Sequence, residues 1–323
     1  MAEFALIERL RRHVRGRADV ALGIGDDAAL LQPPAGEQLA ITADTLNAGV
    51  HFPAETAAAD IGWKTLAVNL SDLAAMGAQP RWCTLSLSLP ADDPSWLEGF
   101  AEGFFALADR HDIALVGGDT TRGPLSLSVT AIGTVPMGAA LRRDAARIGD
   151  EVWVTGMPGE AAAALALWQA SELPITVSAN DGLRETLRQR LLRPTPRIEA
   201  GLRLRGLAHA CVDISDGLVS DLGHICARSG VGARLALAQL PISAALRSTA
   251  DARIRQWQVG GGDDYELCFT APRHQHEAVR DALAFAAVEG YCIGQIEAGQ
   301  GVRVLDEAGC EWQPSRPGYQ HFG

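Results

Sequence analysis

Five short acidic segments rich in small residues are spread along this chain: Gly23-Ile24-Gly25-Asp26-Asp27, Asp44-Thr45, Gly117-Gly118-Asp119-Thr120, Asp213-Ile214-Ser215-Asp216-Gly217 and Gly261-Gly262-Asp263-Asp264. Most close an apolar run, so they read as turns at strand ends. Glycine lets a backbone come close to a ligand, and carboxylates are hard oxygen donors for a divalent cation that itself holds phosphate oxygens. The pattern points to magnesium and polyphosphate chemistry. No Gly-x-x-x-x-Gly-Lys-Ser/Thr loop is present and the sole lysine is Lys64, so a lysine-in-loop phosphate grip is excluded. Metal ions and arginines must then supply the positive charge.

Each segment also has a plainer reading. An aspartate beside glycine commonly shapes a turn or caps a helix. Asp216, ahead of Gly217 and Leu218, suits a helix N-cap, and Asp26 suits the shaping of its own loop. The joint occurrence of five such segments favours a metal and phosphate site.

With 323 residues the chain exceeds the usual size of one core, and two domains are expected, 1–138 and 139–323. Its hydrophobic fraction of 47% is enough to build both cores. The formal net charge of −11 argues against nucleic-acid or anionic-membrane partners, which reward basic patches. No basic leader with an apolar core opens the sequence and no long uncharged apolar run follows, so a soluble cytoplasmic protein is expected. The six cysteines form no Cys-x-x-Cys pair, which disfavours a zinc ribbon or redox dithiol; most read as reduced core residues.

The elements that would carry these segments follow from periodicity. A helix is expected over residues 2–14 and another over Asp60–Met76, with Asp60 as its N-cap, Gly77 as its stop and Asp72 in its last turns. Strands are expected at Val20–Leu22, Leu39–Ala43, Cys83–Leu89 and Leu125–Val135, the last two from alternation. Between those two lie a helix from Pro94 to His111 and a strand Ile113–Val116 that delivers Asp119 to a strand end. The second half reads as strand Val152–Thr155, an alanine-rich helix over Glu160–Ala170 followed by a polar loop, two helices broken at Arg193-Pro194-Thr195-Pro196, strand Ala210–Ile214, helix Leu218–Arg228, strand Leu267–Thr270 and helix His274–Phe285. His274 and His276, two residues apart, point to different helix faces and are not read as ligands.

Together with Val68-Asn69-Leu70-Ser71-Asp72-Leu73-Ala74-Ala75-Met76-Gly77-Ala78, Thr121-Arg122-Gly123, Leu218, Asp264-Tyr265-Glu266-Leu267 and the terminal Gly318-Tyr319-Gln320-His321-Phe322, these segments resemble the thiamine-monophosphate kinase family over nearly the whole chain. The resemblance implies an α/β fold with α+β mixed sheets, of the two-domain aminoimidazole ribonucleotide synthetase type. Its N-terminal domain would pair into a dimeric β-barrel and its C-terminal α/β domain would complete the cleft. It implies transfer of the γ-phosphoryl group of ATP to thiamine monophosphate, with several Mg2+ ions and a homodimer. It further implies metal ligation by Asp27, Thr42, Ala43, Asp44, Asp72, Asp119, Asp213 and Asp216. ATP contacts fall to Gly118, Asp119, Arg143 and Ser215, and substrate contacts to His51, Asp263 and Tyr319. Ala43 replaces a threonine common in the family, leaving only backbone as a ligand there, and Asp263 replaces a common glutamate. Tyr319 would offer an aromatic wall to the cationic thiamine ring.

Joining two phosphates requires neutralisation of charge and in-line positioning, and the attacking phosphate oxygen is already ionised near neutral pH. No side-chain general base is expected. On the residues alone, two alternatives stay open: an ATP-dependent synthetase of the same superfamily with another acceptor, and a metal-dependent phosphohydrolase or nucleotide-binding module.

Overall fold

The structure, a computed structural model, describes residues 2–171 and 182–320. His321 and Phe322 of the terminal motif and most of the loop expected after the alanine-rich helix lie outside these residues. The chain divides into two compact units, one of Met1–Leu73 and Ala78–Gly138, the other of Ala74–Gly77 and Ala139–Gly323. No helix among the described residues is long and apolar enough to cross a membrane.

The first unit runs α1 (Ala2–Arg11), β1 (Val20–Leu22), β2 (Leu30–Leu31), β3 (Glu37–Asn47), α2 (Ala58–Ala75), β4 (Gln79–Leu89), α3 (Pro94–His111), β5 (Ala114–Arg122) and β6 (Ser126–Pro136). Its main sheet has the order β3-β6-β4-β5, antiparallel except for the parallel β4/β5 pair, and is open within one chain. Asp93 caps the start of α3: its carboxylate accepts the N–H groups of Ser95 and Trp96, both at 3.0 Å. Asp60, expected as a cap, lies inside the first turn of α2 because Ala58 and Ala59 already extend the helix. Its charge there still favours the helix dipole. The α2 helix ends before Gly77, whose φ of +61° suits glycine.

Helices α2 and α3 meet backbone to backbone. A Cβ added at Gly103 would sit 1.8 Å from the Ala59 carbonyl oxygen, and one at Gly62 would sit 2.0 Å from that of Phe100. The side chains of Leu66, Leu70 and Leu73 on α2 and of Phe100 and Phe104 on α3 are fully buried. Lys64, also on α2, is 1% exposed, and its ammonium donates to the carbonyl oxygen of His51 at 3.0 Å.

The second unit runs β7 (Glu151–Thr155), α4 (Glu160–Gln169), α5 (Gly182–Leu192), α6 (Ile198–Leu204), β8 (Ala210–Asp213), α7 (Leu218–Ser229), β9 (Gly232–Ala236), α8 (Ala244–Ser248), α9 (Ile254–Gly260), β10 (Leu267–Ala271), α10 (His276–Phe285), β11 (Gly290–Glu297), β12 (Gly301–Leu305) and β13 (Glu311–Trp312). The sheet order is β13-β12-β9-β11-β7-β10-β8, with β9/β12 its parallel pair. Both units therefore hold mixed sheets. One core joins Val152, Val154, Val212, Leu222, Ile225 and Ile293 across β7, β8, α7 and β11. In a second, the small residues Ala161, Ala163 and Ala164 of α4 let Leu187 and Leu191 of α5 come close.

Candidate active site

In the first unit the acidic group is assembled by strand alternation and one helix face. Thr42 and Asp44 are two apart on β3 and so share a face. Thr42 Oγ1 donates to Asp72 Oδ2 of α2, while the Asp44 N–H donates to Asn69 Oδ1 at 3.1 Å. Asn69 and Asp72 are three apart and hence neighbours on α2. Asn69 is fully buried and its Nδ2 donates to the Thr65 carbonyl oxygen at 3.1 Å, which fixes which way the amide points. Thr42, Asp44 and Asp72 are thus brought together, whereas Ala43 alternates away from them.

His51 lies in the turn after β3. Its Nδ1 accepts the Asn47 N–H at 3.0 Å, so the neutral ring carries its proton on Nε2. Asp27 is exposed in the loop after β1, where its own N–H donates to Asp26 Oδ1 at 2.8 Å. Asp26 therefore shapes its loop, as read from the sequence.

Asp119 departs from expectation. The segment Gly117-Gly118-Asp119-Thr120 is no turn: β5 runs through it to Arg122, with Asp119 opposite Ser86 of β4. Asp44 likewise lies within β3 and not at a strand end. Gly118 serves a close approach between strands. A Cβ at Gly118 (φ +153°) would meet the Leu85 carbonyl oxygen at 1.9 Å. A register shift between Cys83 and Thr84 marks a bulge just before it. Since β3 and β5 are opposite edges of the sheet, three strand spacings put Asp119 roughly 14 Å from Asp44 within one chain.

In the second unit three chain segments meet. The Asp263 N–H donates to the Ser215 carbonyl oxygen at 2.8 Å, the Tyr265 N–H to that of Ile214 at 2.9 Å, and the Tyr319 N–H to that of Asp216 at 2.9 Å. Ser215, Asp216, Asp263 and Tyr319 are thereby gathered. Buried Asp213 ends β8 at their base. Gly262 is required here, since a Cβ would lie 2.4 Å from the Ser215 carbonyl oxygen. Arg143 is exposed ahead of β7, and its carbonyl oxygen accepts from Ser229 Oγ at 2.9 Å.

Two residues were not singled out from sequence. Gly217, not Asp216, occupies the N-cap of α7, with no side-chain cap. In its place Asp221 reaches back from the first turn: its Oδ2 accepts the N–H groups of Ser215, Asp216 and Gly217 at 3.1, 3.1 and 3.0 Å. Burial pushes the Asp221 carboxyl up to about 6, with the nearby Asp216 charge adding to the rise and the Gly217 N–H and Arg143 opposing it. An acid one turn after a glycine-rich loop is the signal that points to such a clamp. The second residue is Tyr265, whose hydroxyl donates to Asp263 Oδ1 at 3.0 Å.

Behind Asp263 the loop is anchored in the core. The Asp264 carboxylate accepts the Gly159 N–H at 2.8 and 3.0 Å, and burial holds its proton affinity well above the usual carboxylate range. Buried Glu266 accepts from Thr155 Oγ1 at 2.7 Å and Arg197 Nε at 2.6 Å, with Arg190 Nη1 at 3.8 Å.

Among the described residues no three His, Cys, Asp or Glu side chains converge as a metal-holding group. The donors gathered in the first unit, two carboxylates and a hydroxyl, still suit magnesium. That ion keeps several waters and takes only one or two protein carboxylates when substrate phosphates complete its shell.

Residues 25–135 match the AIR synthase related protein N-terminal domain and residues 147–307 the C-terminal domain of the same family. The chain is 49% identical over 326 residues to thiamine-monophosphate kinase of Escherichia coli strain K12, covering 99% of this chain and 98% of that one. The crystal structure of thiamine-monophosphate kinase from Stenotrophomonas maltophilia K279a superposes with a TM-score of 0.89 at 61% identity, covering 94% of this chain and 96% of that one. A further structure, AaThiL complexed with AMPPCP and TMP, superposes with a TM-score of 0.77 at 32% identity, covering 98% and 97%.

Proposed function

The chain belongs to the thiamine-monophosphate kinase family, and from that premise we propose that it transfers the γ-phosphoryl group of ATP to thiamine monophosphate, yielding ADP and thiamine diphosphate. The observation that carries this reading is the end-to-end likeness to a relative solved with AMPPCP and TMP.

The reaction joins two polyanions on a chain of net charge −11. When bound, Mg2+ neutralises charge on the transferring phosphoryl group and ties the polyphosphate to the protein. Thr42, Asp44 and Asp72 would hold ions on one side, and Asp119 would serve another. Carboxylates on opposite sheet edges fit separate ions along a polyphosphate better than one shared ion. Asp27, the Ala43 backbone, Asp213 and Asp216 complete the proposed ligand set.

Gly118 and Ser215 approach ATP by backbone, and Arg143 contributes a guanidinium to its phosphates. His51, Asp263 and the half-exposed ring of Tyr319 form the acceptor side. The acceptor phosphate oxygen is ionised near neutral pH, so the protein's task is orientation and not proton abstraction.

The reading includes a homodimer and a cytoplasmic setting. Leu39 and Ile41 alternate onto the sheet face opposite Thr42 and Asp44 and are 50% and 64% exposed, apolar surface that pairing into a barrel would cover. Six free thiols, four of them buried, suit a reducing compartment.

The test is ADP release by the purified protein with ATP and magnesium, comparing thiamine monophosphate, thiamine and no acceptor, with the product identified by mass. Equal amounts of ADP and thiamine diphosphate, with the monophosphate alone, are expected. ADP without phosphorylated thiamine would refute the reading in favour of a hydrolase or a synthetase.

A further inference from the structure

We propose that Tyr265 is a positioning residue that sets the orientation of the Asp263 carboxylate toward the acceptor substrate; the proposal rests on the reading of Asp263 as a substrate contact. The two side chains are joined at 3.0 Å, the phenol donating to Oδ1. Neither backbone conformation arises by default. Asp263 has φ +67° and Tyr265 φ +49°, both left-handed and both non-glycine. Such conformations persist when their surroundings over-determine them, and they cluster where a group must be presented accurately.

The surroundings here do over-determine them. The N–H groups of Asp263 and Tyr265 are tied to consecutive carbonyls, Ser215 and Ile214, and Asp264 between them is buried against the Gly159 N–H. With both backbone ends and the middle side chain fixed, rotation of the Asp263 carboxylate is the freedom that its side-chain partners control. The phenol of Tyr265, only 8% exposed, removes that freedom at one oxygen. A carboxylate locked this way meets an N–H or cationic face of a ligand without first losing rotamer entropy, which favours binding and leaves phosphoryl transfer itself untouched. The effect therefore belongs in the KM for the acceptor.

The experiment is steady-state kinetics on the full chain with Tyr265→Phe, Asp263→Asn and the double variant, varying each substrate in turn. Phe keeps the buried ring and removes only the hydroxyl. The expected result is a rise of roughly five- to tenfold in KM for thiamine monophosphate in Tyr265→Phe, as for loss of one hydrogen bond. Meanwhile kcat and the KM for ATP stay within about twofold, Tm is retained, and the double variant adds little to Asp263→Asn. A raised KM in Asp263→Asn with none in Tyr265→Phe overturns the positioning role alone. An unchanged KM in Asp263→Asn removes Asp263 from the substrate site and the proposal with it. Equal rises in both KM values in Tyr265→Phe mark a general structural role and also overturn it.

Discussion

The Asp221 clamp makes a linked prediction about stability and ATP use. Its carboxyl is pushed up to about 6 from the reference value of 3.8, so the folded chain holds this proton more tightly than the unfolded chain does. For a raised acid the stabilising contribution is complete below the unfolded pKa and is lost as pH rises through the folded one. A difference of roughly 2 pKa units corresponds to about 3 kcal/mol, of which about 2 kcal/mol falls between pH 4.5 and 7. Asp221→Asn keeps an oxygen where the three N–H groups need one but never ionises. Whatever its absolute stability, the variant should gain about 2 kcal/mol on the parent between pH 4.5 and pH 7. For a unit of this size that is a relative Tm change of roughly 4–8 °C. Thermal or urea unfolding of both proteins at the two pH values measures it. Activity should move the other way in the parent: protonation weakens the acceptor that shapes the Ser215–Gly217 loop, so kcat/KM for ATP falls as pH drops through about 6, and that limb is missing in Asp221→Asn. Parallel stability curves for the two proteins across this range would refute the burial argument.

Three further outcomes are expected. Asp119→Asn or Asp44→Asn lowers turnover by orders of magnitude with Tm retained; near-parental turnover at saturating magnesium would remove that residue from the site. Gly103→Ala drives a methyl into the Ala59 carbonyl oxygen, 1.8 Å away, and should cost at least 1–3 kcal/mol by calorimetry, an unchanged Tm being incompatible with the backbone contact described. Arg197→Met strips the closest cation from buried Glu266. With Arg190 still at 3.8 Å the loss should lie near the low end for a broken buried pair, about 3 kcal/mol, and a stability gain would contradict the pairing.

Legibility from sequence followed how local the determining physics is. Helix α3, the Pro-split helices α5 and α6, and the alternating strands β4 and β6 depend on neighbours within a few residues, and each element covers the run its pattern picks out, with β4 extending back to Gln79. The last strands, β11 to β13, and the interior strand β9 were not read. Their runs are broken by glycine or arginine or are very short, and they are held as strands by pairing, β9 with the distant β11 and β12, and β13 with the adjacent β12. Asp119 shows the same limit. Two glycines in a row suggest a turn, yet here the second, Gly118, lets strand backbones pack, a condition that only the neighbouring Leu85 reveals. Asp221 and Tyr265 were hidden for a related reason. Their importance lies in which backbone N–H or carboxylate the fold places beside them, and the acidic motifs drew attention to the clamped residues, not to the clamps.

Lys64 has a practical meaning for anyone handling this protein. As the one lysine in the chain, 1% exposed and bound to the His51 carbonyl, it leaves the folded molecule without a side-chain amine for acylating labels or amine cross-linkers to reach. Modification at that position can only follow an opening of the α2 region, so its rate reports how often the turn bearing His51 comes apart. A single peptide bond after Lys64 is likewise all that a lysine-specific protease can cut, dividing the chain in two once that opening occurs.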